Sequence, residues 1–336
     1  MARTGAMRRH NQVVEIWEGL GRVPAGTGPR VVTIGNFDGV HRGHQQVLSL
    51  VVERARALGA LAVAMTFDPH PAALHRPAAA PSQLTGLSDK LDLIAETGID
   101  AVLVVAYTSD FASQSPEQFV RRYLIDTLRP SLVVVGHDVR FGAENRGDRT
   151  TMEELGHRFD FAVEVLEDVT ADEPGATRRE DDEDEPRRWS STWARELLEV
   201  GKVAELADVL GRHHSMRGAV VHGEARGRLL GFPTANLDPA SAGAVPADGV
   251  YAGGLLRDSG RGDRLPAAIS VGTNPTFDGV SRQVEAHVIG RTDLDLYGEE
   301  VVVEFVKLLR PTLRFSGIEP LVAQMHADCA RALEIL

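Results

Sequence analysis

Apolar positions change their spacing once along this 336-residue chain, just beyond His214, and the change divides it in two. Before that point, short runs of β-favouring residues alternate with stretches in which apolar side chains recur every three or four positions. Val31 to Ile34 is the first run. Val47, Leu50, Val51 and Leu58 set an amphipathic helix behind it, beginning near Val40 and ending at Gly59. Leu61 to Phe67 then predicts a strand, and Ser88 a cap for a helix bearing Leu91, Ile94 and Ala95. Ala101 to Val105 follows as a strand. Ser115-Pro116-Glu117-Gln118 supplies an N-cap, a proline at the first helical position and a capping-box glutamine, opening a helix with Phe119, Tyr123 and Leu124. Leu132 to Val135 and Phe161 to Val169 complete the strands. Strands that are apolar throughout, separated by amphipathic helices, predict an α/β domain with a doubly wound parallel sheet covered on both faces.

After a short helix between Gly201 and Arg212 the pattern shifts to short strands separated by Gly- and Pro-rich turns: Arg217 to His222, Val250 to Leu256, Ala267 to Val271, Val284 to Ile289 and Val301 to Leu308. A final helix carries Ile318, Leu321, Val322, Met325 and Leu333, a stripe expected to pack on a core. These elements predict a mainly-β second domain, a small antiparallel barrel closed by one helix. The expected division is 13–188, a helical connection 189–212, and 213–336.

Composition narrows the function. A formal charge of −12 argues against nucleic acid, which needs clustered Lys and Arg, and six consecutive acids from Glu180 to Glu185 concentrate part of that charge in an expected loop insertion at about 171–187. Residues 1–12 form a basic lead expected to be unstructured, with no apolar segment behind it to make a signal peptide. No apolar run approaches the roughly 20 residues of a membrane span. The lone Cys329 cannot form an internal disulfide and says nothing of an oxidising compartment; without a membrane span or signal peptide the expected location is the cytoplasm.

Gly35, Asn36, Phe37, Asp38, Gly39 and Gly43 lie in a strand–loop–helix stretch that presents backbone N–H groups and a helix N-terminus, the build of a nucleotide-phosphate site. His41 and His44, three apart, stand beside those donors and can stabilise charge as an α-phosphate is attacked. Ser191, Thr192 and Arg195 set hydroxyls and a guanidinium at another helix start, suited to departing pyrophosphate. Asp68, before Pro69, and Asp138, in a Gly-flanked loop, follow strand ends where ligands sit in open α/β sheets. Asp138 can bind a ribose hydroxyl, the substrate or a metal.

The second domain carries its own phosphate chemistry. Gly223, Arg226 and Gly227 belong to a flexible basic loop. Thr234 and Asn236, two apart on an extended segment, point the same way and can complete the oxygen shell of a Mg²⁺ that keeps nucleotide phosphates as other ligands. Glu285 lies on a strand face opposite Val284, Ala286 and Val288, placed to accept a proton from a primary alcohol attacking ATP.

With GxFDGVHxGH, TFDPHP, SSTxxR, PTAN, VGTNPTF and VExHxxG in order, the chain resembles the prokaryotic bifunctional riboflavin kinase/FAD synthetases over about residues 13 to 336, and more distantly the HxGH nucleotidyltransferases. The resemblance implies a Rossmann-like first domain that adenylylates FMN to FAD and a barrel that phosphorylates riboflavin to FMN. Riboflavin, FMN, FAD and ATP are its implied ligands, ATP a co-substrate and Mg²⁺ the cofactor. It also implies substrate contacts for Asp68, Phe141 and Asn274. Val139, His137 and the acidic insertion depart from the pattern. Two alternatives stay open on residues alone: nucleotidyl transfer to another phosphate ester, or a non-catalytic flavin-binding regulator.

Overall fold

The computed structural model describes residues 6–9, 12–26, 28–75, 80–166, 187–223, 226–257, 262–276 and 279–336. The acidic run Glu180 to Glu185 lies outside them. They divide into two units. The first holds most residues up to Trp189, and the second holds Ser190 onward together with Ser82–Gly86.

The first unit is a seven-stranded sheet: β1 (Ala6–Arg9), β2 (Gln12–Glu18), β3 (Arg30–Ile34), β4 (Leu61–Asp68), β5 (Ala101–Ala106), β6 (Pro130–Gly136) and β7 (Ala162–Leu166), in the order β1-β2-β5-β4-β3-β6-β7. Every pairing is parallel except β1 with β2. Within the basic lead, Ala6–Arg9 is therefore a strand at the sheet edge and not an unstructured segment. Alternate residues of each strand face opposite layers. Val32, Met65, Leu103 and Val133 pack under the helices Pro116–Leu128 and Arg149–Phe159, and Val31, Ala64, Val102 and Leu132 under Arg42–Leu58 and Leu87–Glu96. Burial on both faces is why these strands are apolar throughout.

Strand order runs one way from β3 through β4 to β5, then returns to the other side of β3 at β6. Loops leaving the carboxyl ends of β3 and β6 therefore diverge, and such a switch point opens a ligand crevice. The loop after β3 carries the two histidines, and that after β6 carries Asp138.

In the second unit, β8 (His214–Val221), β9 (Ala235–Leu237), β10 (Gly249–Leu256), β11 (Arg264–Thr276), β12 (Gly279–Val288) and β13 (Glu300–Arg310) close into an antiparallel barrel in the order β10-β11-β12-β9-β8-β13. The expected connecting helix, Ser191–Glu199, groups with this unit and ties to it where Ala247 N–H donates to Leu198 O at 3.0 Å. The last helix, Ile318–Ile335, differs from expectation. Ile318 and Leu333 are 65% and 52% exposed, while Asp328 is buried because Arg310 binds it. Leu321 and Met325 line a cavity instead of filling a core.

Candidate active sites

The loop after β3 is held in a conformation that L-residues seldom adopt. Phe37, Gly39 and Val40 all have positive φ (50°, 77° and 38°), and for a β-branched residue this costs on the order of 1–3 kcal/mol. Burial of the Phe37 and Val40 side chains under the helix Arg42–Leu58 offsets it. Gly35 is required because a Cβ there would lie 2.9 Å from the Phe37 ring.

That helix begins at Arg42, two residues beyond the expected start near Val40, with His41 as its N-cap, and His41 Nδ1 accepts the His44 backbone N–H at 3.4 Å. An accepting Nδ1 puts the proton of the neutral His41 ring on Nε2. The two imidazoles stack with centroids 3.7 Å apart, and Phe37 meets His44 edge-on. Burial, reinforced by the neighbouring His41 and by the cations Lys90 and Arg188, holds the His44 pKa well below its ordinary 6.5, so its ring is neutral at pH 7. Its Nδ1 is buried with no hydrogen-bond partner among the described residues.

Lys90 escaped the sequence reading. It sits in the helix Leu87–Glu96, where Ser88 stands in the first turn and does not cap it. Lys90 Nζ donates to Phe67 O at 3.0 Å and to Asn36 O at 3.3 Å, tying the loop after β3 to the end of β4. Burial lowers its pKa, and the carboxylates of Asp38 and Asp68 oppose that shift. The signal was its spacing: Lys90 shares the inward helical face with Ile94.

Asp138, exposed on the loop after β6, accepts from Arg188 Nη2 at 2.5 Å. Phe141, expected beside substrate, is a core residue packed on Phe119, with its ring where a Cβ on Gly147 would fall. Tyr107 pairs with His75 at 2.8 Å and clusters with Phe67 and Phe111 at the ends of β4 and β5, an aromatic group no motif announced. In the second unit Ser190 caps its helix by accepting from Trp193 N–H, and Arg195 donates through Nε to Ser82 O and through Nη1 to Ser191 O.

The barrel site assembles as its spacing suggests. Asn236 and Glu285 are opposite partners in the β9–β12 register, and Thr234 Oγ1 donates to Glu285 Oε2 at 3.3 Å. Asn236 Nδ2 in turn donates to Thr234 Oγ1 at 3.3 Å. His287 Nδ1 lies 2.8 Å from Pro233 O, fixing the turn. Two glycines permit this approach: a Cβ on Gly223 would lie 2.6 Å from the Asn236 amide, and one on Gly227 2.4 Å from Phe232 O. Glu224 and Ala225, like Phe277, lie outside the described residues, as do the side chains of Arg226 and Asn274.

Thr234 lines two hollows. A cavity of about 330 Å³ is walled by Thr234 and Glu285 on one side and by Phe315, Leu321 and Met325 on the other. A recess of about 30 Å³ lies at Arg228, Arg291 and Tyr297, where Tyr297 stacks on His222 at 3.9 Å. Hydroxyl, amide and carboxylate oxygens are the hard donors Mg²⁺ takes, and two protein oxygens leave positions for phosphates and water. Among the described residues no cluster of three His, Cys, Asp or Glu offers a rival metal cage.

A family model described as FAD synthetase matches residues 24–177, and one described as riboflavin kinase matches 210–336. Bifunctional riboflavin kinase/FMN adenylyltransferase of Escherichia coli strain K12 is 36% identical over 90% of this chain and 92% of its own. The Bacillus subtilis protein of the same name is 32% identical over 90% of this chain and 91% of its own. A solved structure titled as a macrolide-efflux protein from Streptococcus pneumoniae covers 93% of this chain and 97% of its own, with 29% identity and a TM-score of 0.78. Among the described residues no helix is long and apolar enough to cross a membrane.

Proposed function

The chain belongs to the bifunctional riboflavin kinase/FMN adenylyltransferase family, and we propose how its residues divide the two reactions. It phosphorylates riboflavin with ATP to FMN and ADP, then adenylylates FMN with a second ATP to FAD and pyrophosphate. Family membership disfavours both alternatives, another acceptor and a non-catalytic binder.

For the kinase, the observation that carries the assignment is Thr234 on the wall shared by cavity and recess, with Glu285 at 3.3 Å. The apolar cavity suits the flavin ring, and Arg228 beside the recess suits a nucleotide phosphate. Glu285 accepts the proton of the primary alcohol as its oxygen bonds to the γ-phosphorus and the bond to ADP breaks. Thr234 and Asn236 would hold Mg²⁺, which supplies charge neutralisation at the phosphates. Holding the alcohol in line with ATP supplies much of the remaining acceleration.

For adenylyl transfer, the crevice between the loops after β3 and β6 takes ATP. The backbone N–H groups at the helix start, with His41 and His44 as donors, stabilise charge on the α-phosphate. An FMN phosphate oxygen forms the new bond to phosphorus while the bond to pyrophosphate breaks. Lys90 keeps the loop in place; Ser191, Thr192 and Arg195 are assigned to pyrophosphate on their SSTxxR motif alone. We assign both reactions to the cytoplasm, where ATP and Mg²⁺ are supplied. Incubating the protein with riboflavin, ATP and Mg²⁺ and separating the flavins tests the assignment: FMN should appear first and FAD after it, and unchanged riboflavin would overturn it.

A further inference from the structure

We infer that His287 is a specificity-determining residue of the kinase site, accepting a hydrogen bond from a secondary hydroxyl of the substrate's polyol chain; this rests on the assignment of that site to Thr234, Asn236 and Glu285. Along β12 alternate side chains face opposite ways. Val284, Ala286 and Val288 are buried inside the barrel, which turns Glu285 and His287 to its outer face. There they wall the cavity of about 330 Å³, with Leu321 and Met325 of the last helix on its other side.

The two walls differ in kind. Phe315, Leu321 and Met325 are apolar, whereas Ser270, Glu285 and His287 present a hydroxyl, a carboxylate and an imidazole. Ser270 stands directly opposite Glu285 in the β11–β12 register, so the polar groups form one patch. Riboflavin is divided in the same way, into a flat ring system and a chain that bears secondary hydroxyls and ends in the reacting primary alcohol. Hydroxyls taken out of water need partners. The strand wall is where the chain finds them.

His287 is prepared for this by its other nitrogen. Pro233 O, 2.8 Å from Nδ1, can only accept, so Nδ1 carries the proton of the neutral ring and Nε2 carries a lone pair. Among the described residues nothing bonds to Nε2. Phe232 meets the imidazole edge-on with centroids 5.2 Å apart, so two consecutive residues hold the ring in one orientation. Residues two apart on a strand stand about 7 Å apart. With the primary alcohol at Glu285, His287 therefore meets a hydroxyl a few carbons back along the chain. An acceptor there draws the alcohol into line with ATP, and a substrate without that hydroxyl leaves Nε2 lacking its partner, which is how a polar site rejects an analogue.

The test uses the full-length protein with ATP, Mg²⁺ and two acceptors: riboflavin, and a flavin whose side chain is a plain ω-hydroxypentyl, which keeps the primary alcohol and lacks the secondary hydroxyls. Wild-type phosphorylation of riboflavin is read first, and its failure would overturn the underlying site assignment rather than this inference alone. Wild type should prefer riboflavin in kcat/KM by at least about tenfold, the worth of one hydrogen bond. His287→Asn keeps a donor where Nδ1 stands and removes the acceptor at Nε2. It should lower kcat/KM for riboflavin by about tenfold and leave that for the hydroxypentyl flavin within about twofold. The Mg²⁺ concentration giving half-maximal rate should not move, because the amide still donates to Pro233 O and Thr234 keeps its place. His287→Gln, whose amide oxygen falls near Nε2, should recover most of the preference. A wild type without preference overturns the inference, as does a preference unchanged in His287→Asn or a Gln variant no better than Asn. An equal loss for both acceptors with a raised Mg²⁺ requirement overturns it too, since His287 would then only prop the turn.

Discussion

His41 caps the helix to which its stacking partner His44 belongs: Nδ1 of the first accepts the backbone N–H of the second at 3.4 Å, and the rings lie 3.7 Å apart. The two are one device, since moving either ring withdraws support from the other. His44→Ala should lower FAD formation from supplied FMN by about 10²–10³-fold, the usual loss for one charge-stabilising donor. Riboflavin phosphorylation should be unchanged, because its residues stand in the other unit. The double variant with His41→Ala should lose less than the product of the single losses. Chromatography of both flavin products checks this, and equal damage to both reactions would break the partition.

Glu285→Gln makes the reciprocal cut. The amide keeps the side-chain shape and can still bond Thr234, but it cannot take a proton. Riboflavin phosphorylation should fall by about 10²–10⁴-fold, while FAD formation from supplied FMN continues. A kinase rate within about tenfold of wild type would remove Glu285 from the role of base.

Gly223→Ala tests the metal assignment without touching a proposed ligand. The new Cβ would lie 2.6 Å from the Asn236 amide, so that amide must turn away. The Mg²⁺ concentration giving half-maximal kinase rate should rise by about tenfold, and thermal stability should change little because the loop is exposed. An unchanged Mg²⁺ requirement would take Asn236 out of the metal shell.

Both folds were legible because their cores impose opposite periodicities. A sheet buried on two faces demands unbroken apolar strands, and a small barrel demands short alternating ones. Thr234, Asn236 and Glu285 were legible because a two-residue repeat on a strand fixes direction. The misses share a cause: each depends on a partner far along the chain. Lys90 points inward because Asn36 O and Phe67 O await its ammonium. Asp328 replaces Ile318 and Leu333 on the buried side of the last helix because Arg310 neutralises it. Ala6–Arg9 looks like a charged tail until β2 offers it an edge to pair with. Spacing within one element cannot register any of these.

His214 gives the barrel a pH dependence of calculable sign. Its ring is buried, stacks on Phe305 with centroids 5.9 Å apart, and in the neutral form donates from Nε2 to Ala244 O at 2.7 Å. Burial pushes its pKa down to about 4, Ala244 O opposes the shift, and Arg212 adds to it. In the unfolded chain the same ring takes a proton near pH 6.5. Folding stability is therefore fully present above pH 6.5 and declines as the pH falls toward 4, because only the unfolded state gains the proton. The loss should reach about 2 kcal/mol at pH 5 and about 3 kcal/mol at pH 4. In His214→Gln the side-chain amide can still donate to Ala244 O but has no proton to gain. Urea unfolding of both proteins should show the wild-type advantage shrinking by about 2 kcal/mol between pH 7 and pH 5, above the range where most carboxylates titrate. A difference between the two proteins that stays constant over that interval would exclude His214 as its source.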